Sequence, residues 1–427
     1  MISNNLFSII EKNIRLNKFC YYENLVGLIF QLLFLLNKQK RIHMIVQLMQ
    51  LGQTETDPLG LIFNLLWFVL IFMSMFYGTK LQAYRSRKEI ESGLDKLKKW
   101  DDECKQLLLS NFRKYADKKE NDKDLMLKLE NFLTFVSISP VSLDPYGIIP
   151  KIDHIINVRD SRFKEEVKRL APNVELGNPD AQNLENILEA VMAVDFVYRL
   201  VKHFLILGKK SKSYIILMQI SMQMSIILAL AKTYYHATKA FAEGSPIGDA
   251  LGPMVAGSFV REVSGREDTE AIEIAKETIV QVVNFEDRTI YVVRAKGPGG
   301  TVGKPGTAIK KLVEEHGESI SRIIMIDAGL KLSGDKTGSI AIGVGAAIGG
   351  IGVEKFYIEQ SSTNKAIPID ALICRQSLEN AITTMSRSIT QSVHPIVEKI
   401  KMGIRKRTEK GAKIIIAGIG NTIGIGI

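Results

Sequence analysis

Residues 322–330 read RIIMIDAGL, a run of four large apolar residues that is followed by an aspartate, an alanine and a glycine. A short, continuous apolar run rich in isoleucine predicts a strand that is buried on both faces, as the strands of parallel sheets are. In open α/β sheets, ligands bind beyond the carboxyl ends of the strands. The stretch therefore predicts an α/β fold and places Asp327 at the end of a strand, on a candidate binding edge.

The segments on either side of this strand alternate between strands and short helices. Residues 278–295 predict a β-hairpin that turns at the Glu-Asp pair 286–287, and a Gly-rich loop then leads into a helix. Further apolar segments follow at 338–352, 355–359 and 366–374. A helix from about 375 to 407, interrupted at Pro395, is predicted next. This order predicts an α/β domain over residues 244–427 with a mostly parallel sheet.

Three Gly-rich stretches do not fit nucleotide sites. GPGGTVGKPG lacks the first glycine of a phosphate-binding loop, and Pro305 follows Lys304 where Ser or Thr would hold magnesium. GVGAAIGG has its third glycine one residue late for a dinucleotide site, and AGIGNTIG lacks a following helix. We therefore predict no cofactor. Zinc-finger spacing and RNA-binding aromatic motifs are also missing from the sequence, which argues against a nucleic-acid partner.

A second acidic residue with glycine neighbours lies in SPIGDALGPM, residues 245–254. Gly248 and Gly252 flank Asp249, so the backbone there can approach another segment closely. Two carboxylates at one crevice share a proton, and one then acts as base toward water while the other acts as acid toward a carbonyl. The residues thus predict either a catalytic pair, Asp249 and Asp327, or two unrelated turn aspartates.

GDALGP and IIMIDAGL resemble the two aspartate motifs of the spore germination protease family and its hydrogenase-maturation-endopeptidase-like relatives. The resemblance covers about residues 245–375 and the end of the chain. It implies a germination-protease-like fold in which Asp249 and Asp327 are the paired acids of an aspartic-type endopeptidase that acts on a protein or peptide. The metal-binding relatives add a histidine, but residues 328–375 contain none, so the prediction includes no metal.

In that family the first strand ends in Gly-x-Gly-Asn and comes just before the aspartate loop. Here residues 233–244 precede the loop and read as helix, whereas AKIIIAGIGN at 412–421 has the strand pattern. We therefore predict a circularly permuted domain, in which this C-terminal strand lies beside the RIIMID strand. Gly420 and Asn421 would then form the loop around Asp249, with Asn421 within about 15 Å of it.

Residues 59–78 are twenty residues without a charge, and a helix of that length spans about 30 Å of hydrocarbon. Basic residues follow this segment closely and none precede it closely, which predicts a transmembrane helix with residues 79–427 in the cytoplasm. We therefore expect a cell-membrane protein in contact with lipid. Residues 1–58 form an N-terminal extension, whose weak apolar helix at 25–36 is a second span, a surface helix or sequence upstream of a start at Met44.

Residues 79–243 have apolar residues at helical spacing and predict a helical cytoplasmic region. Within it, 214–231 is an uncharged apolar run, but polar residues in its middle favour a buried helix over a second span. The formal charge of +10 is concentrated beside apolar segments, which fits a membrane-facing protein, and three distant cysteines fit a reducing compartment. From about Met44 the chain also resembles an archaeal membrane-protein family, domain-of-unknown-function family 1512.

The leading hypothesis from the sequence is a membrane-anchored peptidase that uses the paired carboxylates to activate water. The alternative is a non-catalytic membrane-bound scaffold or sensor that keeps the peptidase-like fold and binds a partner. Two carboxylates close together in an open crevice favour catalysis, and separate or covered carboxylates favour the scaffold. A homo-oligomer is compatible with the sequence, which carries no signal for a particular oligomeric state.

Overall fold

The computed structural model of the protein describes residues 58–141, 147–265, 270–350 and 352–426. The predictions for residues 1–57, including the apolar helix at 25–36, lie outside this part of the chain. The described chain folds into two compact units. The first contains residues 96–198 and 226–426, and the second contains residues 58–95 and 199–225.

The described chain from 58 to 242 is mostly helical. Its helices are α1 (Pro58–Arg113), α2 (Asp122–Phe132), α3 (Ile148–Leu170), α4 (Pro179–Lys210) and α5 (Tyr214–Ala242). Helix α2 shows the local reasons: the Asn121 side chain accepts a hydrogen bond from the Lys123 backbone N–H, and Leu125 and Leu129, one turn apart, form its buried face. The division predicted from the sequence, a helical region followed by an α/β domain at 244, stays a prediction.

In the second unit, the N-terminal part of α5 runs beside α1. The Gln82 amide donates to the Met218 sulfur at 3.3 Å, and the Ser221 hydroxyl donates to Glu89. Gly93 lies against the Met224 side chain, which needs the space that a larger residue would fill. Residues 218–224 of α5 therefore lie along residues 82–93 of α1, in the same direction.

The prediction that residues 214–231 are buried was wrong. Among the described residues, Tyr214–Ala242 is the one helix that is long and apolar enough to cross a membrane, and only 17% of its most apolar window is buried. Ile215 and Met222 are among the exposed apolar side chains. The helix packs on α1, and near its start on Gly208 of α4, and apolar side chains on its remaining surface are not covered by the described residues. Helix α1 begins at Pro58, but most side chains of the predicted span at 59–78 lie outside the described part.

The first unit contains a seven-stranded sheet in the order β1-β2-β3-β7-β4-β6-β5. Its strands are β1 (Ala271–Ala275), β2 (Thr278–Asn284), β3 (Thr289–Ala295), β4 (Ile320–Leu330), β5 (Ile340–Val344), β6 (Ile369–Gln376) and β7 (Lys413–Gly418). The four central strands are parallel, while β1, β2 and β5 join through antiparallel pairs. The domain is α/β as predicted, but the sheet is mixed rather than mostly parallel, because the 278–295 hairpin and strand β5 extend its two sides antiparallel.

Strand β7 lies between β3 and β4 and pairs with both in parallel, so the predicted position of the C-terminal strand beside RIIMID is confirmed. Ile414 and Ile416 face one apolar layer and Ile415 and Ala417 face the other, and all four are fully buried. Helices α6 (Leu251–Ser264) and α11 (Val393–Arg407) cover the first face, and α7 (Pro305–His316) and α8 (Val353–Asn364) cover the second. Burial on both faces explains the continuous apolar run of this segment.

The single long helix predicted for 375–407 does not form. Strand β6 continues to Gln376, and α9 (Leu378–Ile382), α10 (Arg387–Thr390) and α11 follow. The interruption lies at 383–386, where Thr384 forms a bridge with Ile247 and the Met385 backbone N–H donates to the Pro246 carbonyl at 2.7 Å. Pro395 lies in the first turn of α11, where backbone N–H groups have no partner within the helix. The missing N–H of proline therefore costs no helical hydrogen bond, and Pro395 does not interrupt that helix.

Candidate active site at the end of strand β7

Asp249 belongs to a single 3-10 turn, Gly248–Ala250, that leads directly into α6. Its carboxylate does not cap that helix, because Ala250 is the N-cap residue and forms no side-chain cap. The carboxylate instead accepts the Asn421 backbone N–H at 2.9 Å, from a segment 172 residues away. Asp249 is therefore held toward the end of β7 and is not an ordinary turn aspartate.

Asp327 lies within β4, which differs from the predicted end of the strand. The ladder between β4 and β7 ends at Ile326, where the Ile419 backbone N–H donates to the Ile326 carbonyl at 2.8 Å. The ladder between β4 and β6 continues to Leu330. Asp327 is thus the first residue of β4 beyond the last pair with β7. Because β7 ends there and β4 continues, the edge of β4 that β7 covered becomes free at Asp327, in the middle of β4.

Asp327 is 8% exposed, and its carboxylate accepts backbone hydrogen bonds from Ala328, at 2.7 Å, and from Gly349. Asp249 keeps part of its surface exposed. The two residues are close enough for the charge on Asp249 to act on Asp327. The structure therefore brings together the two acids that the sequence singled out, with the more exposed acid on the solvent side.

Burial raises the pKa of both carboxyl groups, and the negative charge of Asp249 raises that of Asp327 further. The Asn421 N–H partly offsets the effect of burial on the pKa of Asp249. Asp327 consequently has its pKa well above the usual range for aspartate. The pair titrates as a unit, and when it holds one proton the favoured arrangement places that proton on Asp327 and the charge on Asp249.

Three glycines around Asp249 are needed because backbone segments approach each other closely. A Cβ on Gly252 would lie 2.1 Å from the Ile419 carbonyl oxygen, and a Cβ on Gly248 would lie 2.1 Å from the Asn380 carbonyl oxygen. Gly420 has a φ of 142°, and its Cβ would lie 1.9 Å from the Asp249 carbonyl oxygen. These predicted loop residues shape the site through their backbones.

Asn421 holds the other side of the same loop. It is 3% exposed, and its side-chain oxygen accepts the Ile423 backbone N–H at 2.8 Å while its own backbone N–H reaches Asp249. The prediction that Asn421 lies within about 15 Å of Asp249 is confirmed, since the two residues are hydrogen-bonded. Asn421 positions the acid from its backbone, and its side chain fixes the turn.

Two family models match the chain. The N-terminal domain of a protein family of unknown function, DUF1512, matches residues 64–244, and the DUF1512 C-terminal domain matches residues 247–426. The chain belongs to the DUF1512 family. This confirms the family that the sequence suggested, and the two models meet just before the Asp249 turn. A search of curated proteins finds no match.

A cavity of about 160 Å³ adjoins the acid pair in this DUF1512 chain. Gly349 and Asn421, whose N–H groups bond the two aspartates, are part of its wall. The opposite wall comes from α3 and α4, which contribute Lys164 and Glu185 among others. The sequence reasoning missed these helical residues, because charged residues on amphipathic helices carry no signal that they face a site.

A possible metal cluster lies elsewhere on the described surface. Glu262, His394 and Glu398 are exposed and have ligand atoms within 4.8 Å of one another. Lys401 already donates to Glu262 at 2.6 Å and to Glu398 at 2.9 Å, so a cation of the protein occupies the position between the two carboxylates. An ion there would have to displace this lysine, and we assign the cluster to surface ion pairing.

Proposed function

We propose that this DUF1512 protein is a membrane-anchored aspartic-type peptidase in which Asp249 and Asp327 activate water. The observation that carries the proposal is the pair itself. Two carboxyl groups from separate segments lie close enough to interact where strand β7 leaves the sheet, and the pKa of each is raised. Groups perturbed in this way by burial and by a specific neighbour are typical of catalytic sites.

The chemistry follows from the favoured proton arrangement. Asp249, ionised and partly exposed, takes a proton from a water molecule as that water attacks the peptide carbonyl carbon. Asp327, protonated, gives its proton to the carbonyl oxygen, which produces a neutral tetrahedral intermediate. Return of the carbonyl double bond then breaks the C–N bond, the proton held by Asp249 passes to the leaving amine, and Asp327 regains its proton from the hydroxyl of the intermediate.

The resemblance of GDALGP and IIMIDAGL to the germination protease motifs supports the same proposal. In that family the strand ending in Gly-x-Gly-Asn comes directly before the aspartate loop. Here strand β7 and Asn421 reach the Asp249 loop from the other end of the domain. We propose that the domain is a circularly permuted form of that fold.

For the membrane anchor we propose a single span at 59–78, with the rest of the chain on the cytoplasmic side. Residues 218–224 of α5 lie beside residues 82–93 of α1, a segment with exposed Arg85 and Arg87. If α5 occupied the hydrocarbon core, the charged side chains of Arg85 and Arg87 beside it would have to enter the core as well, which is energetically costly. The basic turn between α4 and α5, with exposed Lys209, Lys210 and Lys212, would then lie at the level of anionic lipid headgroups.

The catalytic proposal is tested by comparing the protein N-termini of cells that produce the wild-type protein or the Asp327→Asn variant. Asn is nearly isosteric, so the variant should fold and should lose every cleavage that depends on the wild-type protein. Asp102→Asn, at an exposed position of α1, is the matched control and should keep all of them. Cleavages that persist in the Asp327→Asn cells would refute the catalytic role.

The anchor is tested separately with the Ser211→Cys variant in a Cys20→Ser background. Both other cysteines are buried. A membrane-impermeant maleimide should label Cys at 211 only after the cells are opened. Labelling of intact cells would place the α4–α5 turn outside and overturn the proposed orientation.

One observation favours the alternative of a non-catalytic sensor. The cavity beside the acid pair is small, and α3 and α4 cover one side of it. A site of this size accommodates a side chain or a small ligand more readily than an extended polypeptide. A wild-type protein that causes no cleavage but binds a small ligand at this cavity would establish the sensor in place of the peptidase.

A further inference from the structure

The acidic groups around the cavity beside the acid pair are matched with basic partners, with one exception. Lys164 forms an ion pair with Glu277, and Arg159 forms one with Glu189. Lys304 lies 3.3 Å from Asp153, and within 4.0 Å of a second carboxylate. Three of the four basic residues that line the cavity are therefore engaged in ion pairs, and the fourth, Lys276, is exposed and forms none among the described residues.

Glu185 on α4 is the exception. Among the described residues, no basic group lies within ion-pair distance of its carboxylate, and the nearest one that acts on it, Lys164, is engaged with Glu277. Glu277, Glu189 and Asp160 surround it with negative charge. Burial, reinforced by these neighbours, raises the pKa of Glu185 to about 8.

The Gly-rich wall does not make this an anion site. The N-terminus of α7 is the position that would attract a phosphate. Glu354 already occupies it, accepting the Thr307 backbone N–H at 2.9 Å and contacting the Thr307 hydroxyl. An anion entering the cavity would meet this carboxylate and Glu185, whereas a cation would meet the one acid that has no partner.

We infer that the cavity binds a cationic group, the side chain of a lysine or arginine in the substrate, and that Glu185 is the residue that selects it. This inference rests on the proposed peptidase function for its substrate class. Gly349 and Asn421 line the cavity and also bond the two acids through their N–H groups, so a basic side chain held by Glu185 would belong to a residue near the cleaved bond. A substrate without a basic side chain would leave the Glu185 carboxyl unpaired, so the site would discriminate against it.

The test uses the full-length protein in detergent and two probes of matched shape, Nα-acetyl-lysine amide and Nα-acetyl-norleucine amide. Calorimetry near neutral pH should show binding of the lysine probe, with uptake of protons by the buffer as Glu185 ionises. The norleucine probe should bind at least about tenfold more weakly, because it lacks the charge. The Glu185→Gln variant should weaken lysine binding by a similar factor and abolish the proton release.

Glu130→Gln, at an exposed position of α2, is the control and should leave binding unchanged. Equal binding of the two probes, unaltered binding to Glu185→Gln, or failure of the lysine probe to bind the wild-type protein would each overturn the inference. The Asp327→Asn variant separates the two proposals, since it should lose cleavage while it keeps lysine binding. Selective lysine binding in a protein without any cleavage would uphold the cation site and reject the peptidase.

Discussion

Replacing Glu185 with Gln should stabilise the protein at neutral pH, although the substitution removes a charge from a polar site. In the folded state burial raises the pKa of Glu185 from 4.5 to about 8. Folding therefore requires this carboxyl to take up a proton near pH 7. A raised acid pKa costs no stability below the unfolded pKa, costs progressively more between the two values, and costs a constant amount above the folded value.

The size of the effect follows from the two pKa values. The interval from the ordinary pKa of 4.5 up to pH 7 corresponds to a cost in folding free energy of about 3 kcal/mol, at about 1.36 kcal/mol per pH unit. Glu185 is partly exposed, and solvent screening reduces this to about 1–3 kcal/mol. Gln does not titrate, so Glu185→Gln should raise the free energy of unfolding by about 1–3 kcal/mol near pH 7 and by nearly nothing near pH 4.5.

The assay is urea unfolding of the detergent-solubilised protein, followed by circular dichroism near pH 4.5, 7 and 9. The difference in free energy of unfolding between the variant and the wild-type protein should grow from about pH 4.5 to about pH 7 and level off toward about pH 9. Glu130→Gln should show no such trend, because that side chain is exposed on α2. A difference that is independent of pH would show that folding does not raise the pKa of Glu185, and a loss of stability near pH 7 would show that its ionised form is paired in the folded protein. Either result would refute a raised pKa for Glu185 in the folded protein.

Three further substitutions test other parts of the first unit. Gly420→Ala places a Cβ 1.9 Å from the Asp249 carbonyl oxygen at a φ of 142°, and thermal unfolding should show a loss of at least about 2 kcal/mol; an unchanged midpoint would mean that the loop relaxes freely. Ile416→Ala leaves a cavity in a fully buried strand and should cost about 2–5 kcal/mol in urea unfolding, a value near zero being incompatible with a central β7. Burial alone would raise the pKa of Glu277, but the hydrogen bond from Lys164 lowers it below the value of the unfolded chain. The ion pair therefore stabilises the protein fully at a pH above the pKa of Glu277 in the unfolded chain, and this stabilisation is lost as the pH falls through its pKa in the folded protein. Lys164→Met should therefore destabilise near pH 7 and do so less near pH 3, and equal losses at both would contradict the ion pair.

The central strands and the meeting of the two aspartates could be predicted from the sequence because their signals are local. IIMI (323–326) and IIIAGI (414–419) are continuous uncharged runs that require burial on both faces, and each run ends next to a residue of the site. The hairpin at 278–295 was confirmed for a similar reason, since Glu286 and Asp287 form its turn with positive φ. The residues within each of these elements are enough to determine its conformation, so the sequence predicts them.

The elements that were predicted wrongly depend on residues far away in the chain. Nothing local ends the helix after Ile382, and the break arises because Met385 and Thr384 bond to the segment at 246–247. The exposed face of α5 reads as apolar whether or not anything covers it. The cavity wall was missed because Glu185 and Lys164 differ from other helical charges only in what lies opposite them, and single-sequence patterns do not contain that information.

The position of β7 between β3 and β4 also sets an order of events during synthesis. Asn421 follows Asp249 by 172 residues, which a ribosome adds over roughly ten to thirty seconds. Until then β3 and β4 are two separate edges with unpaired backbone groups and apolar faces, the kind of surface that associates with other chains. A nascent chain therefore needs protection of these edges by a chaperone or by the rest of the fold, and the acid pair cannot form before the last strand has been inserted. Any activity that depends on the acid pair is thus absent until β7 has been inserted.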